Sequence, residues 1–443
     1  MRIAVIGAGI SGLGAAWLLS KRHDVTVYER NGYLGGHSNT VDAPHGDKSI
    51  PVDTGFIVFN ERTYPNLLRL FQHLEVPVKK TEMSFAVSLD DGRLEYGGKN
   101  VWQLFAQHKN WFSPRFHGMV QDLLRFYRTA ETLLQSPTAR ELSLGDYLRL
   151  GRYKDAFVDD HLLPMAAAIW SCPAETMRAF PAQSFVRFFV NHGLLEVDTK
   201  NRPQWFTVDG GSREYVRRLV ADIDGTVTPS RAAVQVRRLG GKAVVRDIDG
   251  AEQTFDEVVL ACHADEALAL LADPTTEERR ILGAFRYSKN LAVLHQDKAH
   301  MPKRGRVWSA WNYLHDRKRS DGSVAVTYWM NRLQSLDPSC PLYVTLNPDR
   351  PFAPGTELRR FTYDHPIFDA AATQAQGQLP GIQGIANLWY CGSYCGYGFH
   401  EDGLASAIAV ARALGVAPPW GHHDAYAMAA VTPAATGLAL AAE

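Results

Sequence analysis

The residues with the clearest chemistry stand at the amino end of the chain. Gly7-Ala8-Gly9-Ile10-Ser11-Gly12 is a Gly-x-Gly-x-x-Gly run, and Glu29 follows 17 residues after its last glycine. In such a run the first glycine permits a sharp reversal, the second lets backbone approach a pyrophosphate, and the third lets helix and strand pack closely. The unpaired amides of the helix start then donate to phosphate, and a carboxylate at the offset of Glu29 accepts the ribose hydroxyls. These residues point to a bound dinucleotide. A second pair, Gly35-Gly36, lies in the segment Arg30 to Thr40 with His37 and Ser38. It forms a loop too bare to pack a core, whose backbone amides can reach a ligand. A nicotinamide-binding unit would continue into its next helix here, so the loop favours a longer cofactor that extends past the sheet edge. Near the other end, Tyr394, Tyr397 and His400 follow Gly392-Ser393 and are titratable side chains able to act as an acid or base.

The elements that must hold these groups can be read around them. Ile3 to Ile6 is a short apolar run expected as a buried parallel strand, and Leu13 to Ser20 continues as a helix. Val25 to Tyr28 reads as the second strand. Gly225 to Asp256 alternates around Gly240-Gly241 and Asp249-Gly250 and is expected to form antiparallel strands. Glu257 to His263 reads as a strand reaching a helix start. Leu388 to Tyr390 reads as a strand ending at Gly392, followed by a glycine-rich loop and an alanine-rich helix from Leu404 to Leu414. The fold class expected is α/β.

Composition narrows the function. The 443 residues carry 47 Lys plus Arg against 47 Asp plus Glu, so nothing suggests a basic footprint for nucleic acid or a polybasic anchor. Five cysteines without paired short spacings indicate neither a disulfide framework nor a metal site, and they fit a reducing cytoplasm. Cys391 and Cys395 lack the spacing of a redox dithiol. No run reaches the ~18 apolar residues of a membrane span, which leaves peripheral contact with the inner face of the cell membrane as the expected form of membrane association.

Along nearly its whole length the chain resembles FAD-dependent oxidoreductases of the amine oxidase and carotenoid desaturase superfamily. The likeness rests on the glycine segments above, on Val52-Asp53-Thr54-Gly55-Phe56, on Val208-Asp209-Gly210-Gly211-Ser212, and on Trp389 to Ser393 followed by Glu401-Asp402-Gly403-Leu404-Ala405. It implies FAD as cofactor in a discontinuous Rossmann-like domain of the amine oxidase type, assembled from residues 1–80, 205–285 and 385–420. An α+β substrate domain would comprise 81–204 and 286–384, and 421–443 would be a tail. The resemblance carries Gly55, Phe56, Ser393, Asp402, Gly403 and Leu404 over as cofactor contacts, Asp402 beside the flavin, and gives the backbone of Val234 to adenine.

Ala168 to Ser171, Asn191 to Leu195, Trp308 to Tyr313 and Tyr328 to Gln334 resemble a bacterial subgroup that accompanies cyclopropane or methyl-transferring fatty acid synthases. That likeness implies desaturation or another oxidation of a methylated or unsaturated fatty acyl chain, on a route to furan-containing or otherwise modified fatty acids, with a fatty acid methyltransferase as partner. Two alternatives stay open: a flavin amine oxidase of a small substrate, and a flavin-bearing partner of the methyltransferase with no turnover of its own. Three departures speak against the amine oxidase. Asn290 occupies the expected place of a lysine beneath flavin N5, with Lys289 on the opposite face. His37 replaces the arginine after the first glycine pair, and the Tyr394 to His400 loop is shortened. His400, Tyr394, Tyr397 and Asn290 are therefore the expected catalytic residues, with His192 as a further candidate. The aromatics from Trp102 to Trp329, Trp170, Phe188 and Trp311 among them, fit an apolar tunnel as a set.

Overall fold

The computed structural model describes residues 1–136, 142–170, 174–196, 201–316 and 324–420. Its centre is the strand Arg2–Ile6, in which Ile3, Ala4 and Val5 are fully buried. Both faces of this strand are apolar, as a strand covered on two sides requires. It lies within five parallel strands in the order Gly225–Thr228, Asp24–Tyr28, Arg2–Ile6, Glu257–Leu260 and Leu388–Tyr390. Ile3 and Val5 face the helices Ile10–Ser20 and His400–Ala413, while Ala4 and Ile6 face the antiparallel sheet of Ala233–Leu239, Lys242–Asp247 and Glu252–Phe255. The carboxyl ends of the parallel strands open on one edge, where this architecture binds ligands.

Two elements depart from expectation. Gly225–Thr228 does not join the antiparallel strands that follow it; it pairs in parallel with Asp24–Tyr28 and covers an edge that would otherwise lie open. The last helix begins at His400, four residues before the expected Leu404. Asp402 Oδ2 accepts the Phe399 amide at 2.9 Å and so starts the helix early, with Gly403 inside it.

The second body is a seven-stranded sheet in the order Glu357–Ile367, Arg286–His295, Tyr343–Leu346, Ala325–Trp329, Trp311–His315, Phe85–Leu89 and Leu94–Gly97. Trp311–His315 and Phe85–Leu89 run parallel, and the other neighbours are antiparallel. Its core is shared with the helices Pro114–Thr129, Leu163–Trp170 and Ala182–Asn191. The chain passes between the bodies at a small sheet of Phe59–Asn60, Val78–Thr81 and Trp205–Val208. Ala372, Ala375, Leu379 and Ile382, assigned above to the substrate domain, pack instead with Ile281, Leu282 and Leu388 against the parallel sheet. The tail expected over 421–443 lies outside the described residues. Among the described residues no helix is long and apolar enough to cross a membrane, and no cluster of His, Cys, Asp or Glu is arranged to hold a metal ion.

Candidate functional site

A cavity of about 1750 Å³ runs from the glycine turn into the second body. Ligand sites commonly measure about 300–1,000 Å³, so this one has room for a dinucleotide and a second molecule. Gly7 has φ +102°, and a Cβ there would lie 2.8 Å from Ala261 O. A Cβ at Gly12 would stand 1.8 Å from Gly7 O, so the turn and the helix touch through bare backbone. A Cβ at Gly9 would meet nothing within 4 Å and would project into open space beside the helix start. No side chain caps that start, and Gly9, Ile10 and Ser11 line the cavity there. This is a cradle for an anion.

Glu29 stands beside it, its carboxylate accepting the Ala8 amide at 2.8 Å and the Asn31 amide at 2.7 Å. Arg30 lines the same stretch and pairs with Glu266 at 2.6 Å. Val234 sits on the rim where the strand register shifts between Ala233 and Gln235.

The next stretch of wall joins three distant segments. The Gly35 amide donates to Ala8 O at 2.8 Å, and Gly36 passes so close that its Cβ would lie 3.1 Å from Gly9 Cα. Gly55 approaches the His37 carbonyl within what would be 2.2 Å of a Cβ, and the Phe56 amide donates to that carbonyl at 2.8 Å. Phe56 stacks on His400 at 3.8 Å. Ser38 Oγ bonds His400 Nε2 at 2.8 Å and also the Tyr215 hydroxyl. Burial pushes His400 down to about 3, so its ring is neutral, clamped on one face and hydrogen-bonded at one nitrogen. Gly392 and Ser393 complete the wall with Tyr394, whose buried hydroxyl has no hydrogen-bond partner among the described residues. Cys391 and Cys395 are buried, and burial raises both thiols, Cys395 to about 12.

Several expected contacts stand behind the wall. Gly12 and Ser38 act through backbone packing and through His400. Leu404 is fully buried between the two helices, its methyl 2.8 Å from where Gly14 would carry a Cβ. Gly403 lets the last helix approach Ser11 Oγ, 2.7 Å from a Cβ built there. Asp402 holds the helix start, and burial lifts its carboxyl to about 7. Glu401 accepts the Asn66 and Leu67 amides at 3.0 Å each, capping the helix Pro65–His73 from outside it.

Asn290 does not reach the cavity. Its amide donates to Ser288 O at 3.0 Å and to His365 Nδ1 at 3.1 Å, and its Oδ1 accepts Asn347 Nδ2 at 2.7 Å. Pairing of Arg286–His295 with Glu357–Ile367 turns it toward this polar cluster, and Lys289 is exposed beside Asp364. What reaches the wall is His365. Because Asn290 donates to its Nδ1, its proton sits on Nε2, and burial together with nearby His263 holds it neutral at about 4.

His365 belongs to a group that sequence reasoning missed. His37 lies 5.5 Å from His365, 4.9 Å from Tyr363 and 6.4 Å from His263, ring centre to ring centre, and all four line the cavity. His37 Nε2 is buried and unpartnered among the described residues. The available signal was the alternation Tyr363-x-His365, which places both side chains on one strand face.

Beyond His400 the cavity becomes an apolar chamber. Tyr397, Phe399 and Phe188 mark the passage, and Tyr127, Met165, Ile169, Trp170, Trp311 and Tyr328 line the interior. Of the expected aromatics, Phe185 and Phe189 are core, and Trp102 and Phe112 lie on the surface. His192 stacks on Phe188 at 3.8 Å and donates from Nδ1 to the Phe188 carbonyl at 3.0 Å. Its Nε2 is therefore an acceptor in the chamber wall, and burial holds the ring neutral at about 4.

Comparison with known proteins places this arrangement. Residues 10–341, well over half the chain, match the flavin-containing amine oxidoreductases. The chain belongs to that family. The uncapped helix start, the Gly9 cradle and Glu29 fit FAD, and FAD is the cofactor of this flavoprotein. A 15-cis-phytoene desaturase of Synechococcus elongatus is 39% identical over 77 residues, which cover 17% of this chain and only 15% of the desaturase. The solved CLA-producing fatty acid isomerase of P. acnes superposes with a TM-score of 0.68 at 18% identity, covering 93% of this flavoprotein and 98% of the isomerase. Putrescine oxidase bound to putrescine gives 0.64 at 14%, with 94% and 99% covered. At these identities the superpositions share a fold and do not choose between acyl and amine substrates.

Proposed function

We propose that this flavoprotein oxidises a methylated or unsaturated fatty acyl chain by desaturation, within the synthesis of furan or otherwise modified fatty acids. The observation that carries the reading is the chamber: its interior is aromatic and aliphatic, and every lining carboxylate described is already engaged. Glu82 is held by Arg332 and Lys99, which lower it to about 2 against its burial. Glu266 is paired with Arg30 and Asp364 with Lys289, while exposed Glu61 accepts the Gln204 amide. A substrate ammonium would meet aromatic faces but no buried carboxylate free to pair with it, so its charge would be desolvated without a counter-ion. An acyl chain needs none.

FAD, when bound, accepts a hydride. Desaturation removes that hydride and a proton from adjacent carbons, and the protein's share is to align the chain, exclude water and receive the proton. His192 Nε2 is the acceptor that the chamber offers for it. His400 positions Phe56 and Ser38, and its Nε2 is already occupied. His365 presents an N–H and acts as a fixed donor.

The test is anaerobic mixing of the oxidised flavoprotein with candidate substrates. An unsaturated or methyl-branched acyl chain is expected to bleach the flavin, and benzylamine and putrescine are not. Bleaching by a simple amine with no response to any acyl lipid would make it an amine oxidase.

A further inference from the structure

Among the described residues, the two most exposed large apolar side chains belong to one short stretch of the substrate domain. Phe112 is 87% and Trp102 80% exposed, with Val101 and Trp111 also uncovered. Folding leaves such groups in water at an unfavourable free energy unless another surface covers them. The stretch consists of the helix Val101–Leu104 and the turn His108–Phe112, tied together by Phe105 stacking on Trp111 at 4.1 Å. It is also a wall of the cavity: Val101 and Leu104 line it, so the exposed patch is continuous with the chamber.

Charge identifies what covers the patch. Residues 96–121 contain no Asp or Glu, although the whole chain is neutral. A depression beside the patch is lined by His108, Lys109, Arg304 and Arg306, and no carboxylate lines it. Arg304 is paired with Glu95 at 2.7 Å, Lys109 donates to the Arg93 carbonyl, and Arg306 is exposed. Aromatic side chains beside cations at an apolar opening match the interface of an anionic bilayer, where rings sit at headgroup depth and the cations meet phosphate.

We infer that residues 101–112 are a membrane-docking surface that seats the cavity mouth on an anionic lipid bilayer, so that an acyl chain passes from bilayer to chamber without crossing water. The inference rests on the acyl reading above. It also accounts for aromatic residues that the chamber does not use.

The experiment compares full-length, FAD-loaded wild type with the double variant Trp102→Ser/Phe112→Ser. It uses vesicles of phosphatidylcholine alone and of phosphatidylcholine with phosphatidylglycerol. Wild type is expected to sediment with the anionic vesicles, and the double variant to partition at least about ten-fold less. Neither position touches the cavity, so flavin content and flavin reduction by a detergent-dispersed acyl ester should be unchanged. Equal sedimentation of variant and wild type would overturn the inference, and so would a wild type that stays in the supernatant with both vesicles. A variant that loses a protein contact, a second copy or a methyltransferase, while keeping its vesicle partition would also overturn it, in favour of a protein interface. If amines alone bleach the flavin, the acyl reading fails separately and sedimentation still decides the docking.

Discussion

Gly9 and Gly12 stand three residues apart in one turn, and the structure assigns them opposite failures. Gly9 has φ −77° and ψ −173°, a backbone any residue adopts, and a side chain there meets no protein atom within 4 Å. Gly9→Val should therefore fold. The weaker capping preference of valine costs at most about 1 kcal/mol, a shift of a few degrees in melting temperature at most. The same side chain enters the open space beside the uncapped amides, which is where a pyrophosphate held by this cradle would lie. Overpacking by even a methylene costs about 1–3 kcal/mol, which is roughly a five- to 150-fold loss of FAD affinity.

Gly12→Ala is different. Its methyl would lie 1.8 Å from Gly7 O, and Gly7 is held in turn by the hydrogen bond that its N–H donates to Tyr28 O at 2.8 Å. Neither backbone can retreat, so the loss is one of fold. Flavin absorbance per protein, FAD titration of the stripped protein and melting of the stripped form separate the two. A Gly9→Val protein that keeps FAD at wild-type affinity, or one whose stripped form melts far below the stripped wild type, would refute the assignment of Gly9 to the phosphate cradle.

Two further outcomes follow from buried polar groups. Asn290→Leu removes the donor that fixes the proton of His365 on Nε2 and strands Asn347 Nδ2; stability should fall by about 1–3 kcal/mol, and anaerobic flavin reduction should slow by roughly ten-fold or more with FAD still bound, which stopped-flow and thermal melting measure together. Asp402 has its folded-state carboxyl lifted to about 7 by burial, against about 3.9 in an unfolded chain. Its contribution to stability is therefore fully present below about pH 4 and lost as pH rises through 7. Melting of wild type relative to Asp402→Asn should fall across that window, and a difference that rises or stays flat would remove burial as the dominant influence on Asp402.

What could be read before the fold was known divides by the distance over which each residue acts. The placement of Gly7, Gly9, Gly12 and Glu29 was legible because it is set locally: one turn, one helix start and the end of the next strand, all within 29 residues. Asn290 was placed wrongly because its neighbours come from Asn347 and His365, brought beside it by strands far apart in the chain. No spacing rule within one segment reports which face of Arg286–His295 meets the cavity. His37 was read as a missing arginine, yet its ring lies among His263, Tyr363 and His365, contributed by three other segments. The alanine-rich pattern starts the helix at Leu404, after Gly403, whereas the close approach of Ser11 needs a glycine inside the first turn. Trp102 and Phe112 mislead in the other direction, since residue type assigns them to a core and only the three-dimensional surface shows them uncovered. Residue type reports the free energy of leaving water, and the fold decides whether protein, cofactor or lipid receives the side chain. The same aromatic composition can thus build a chamber at Trp170 and Trp311 and an exposed patch at Trp102 and Phe112, and the acyl substrate proposed above would be suited to both.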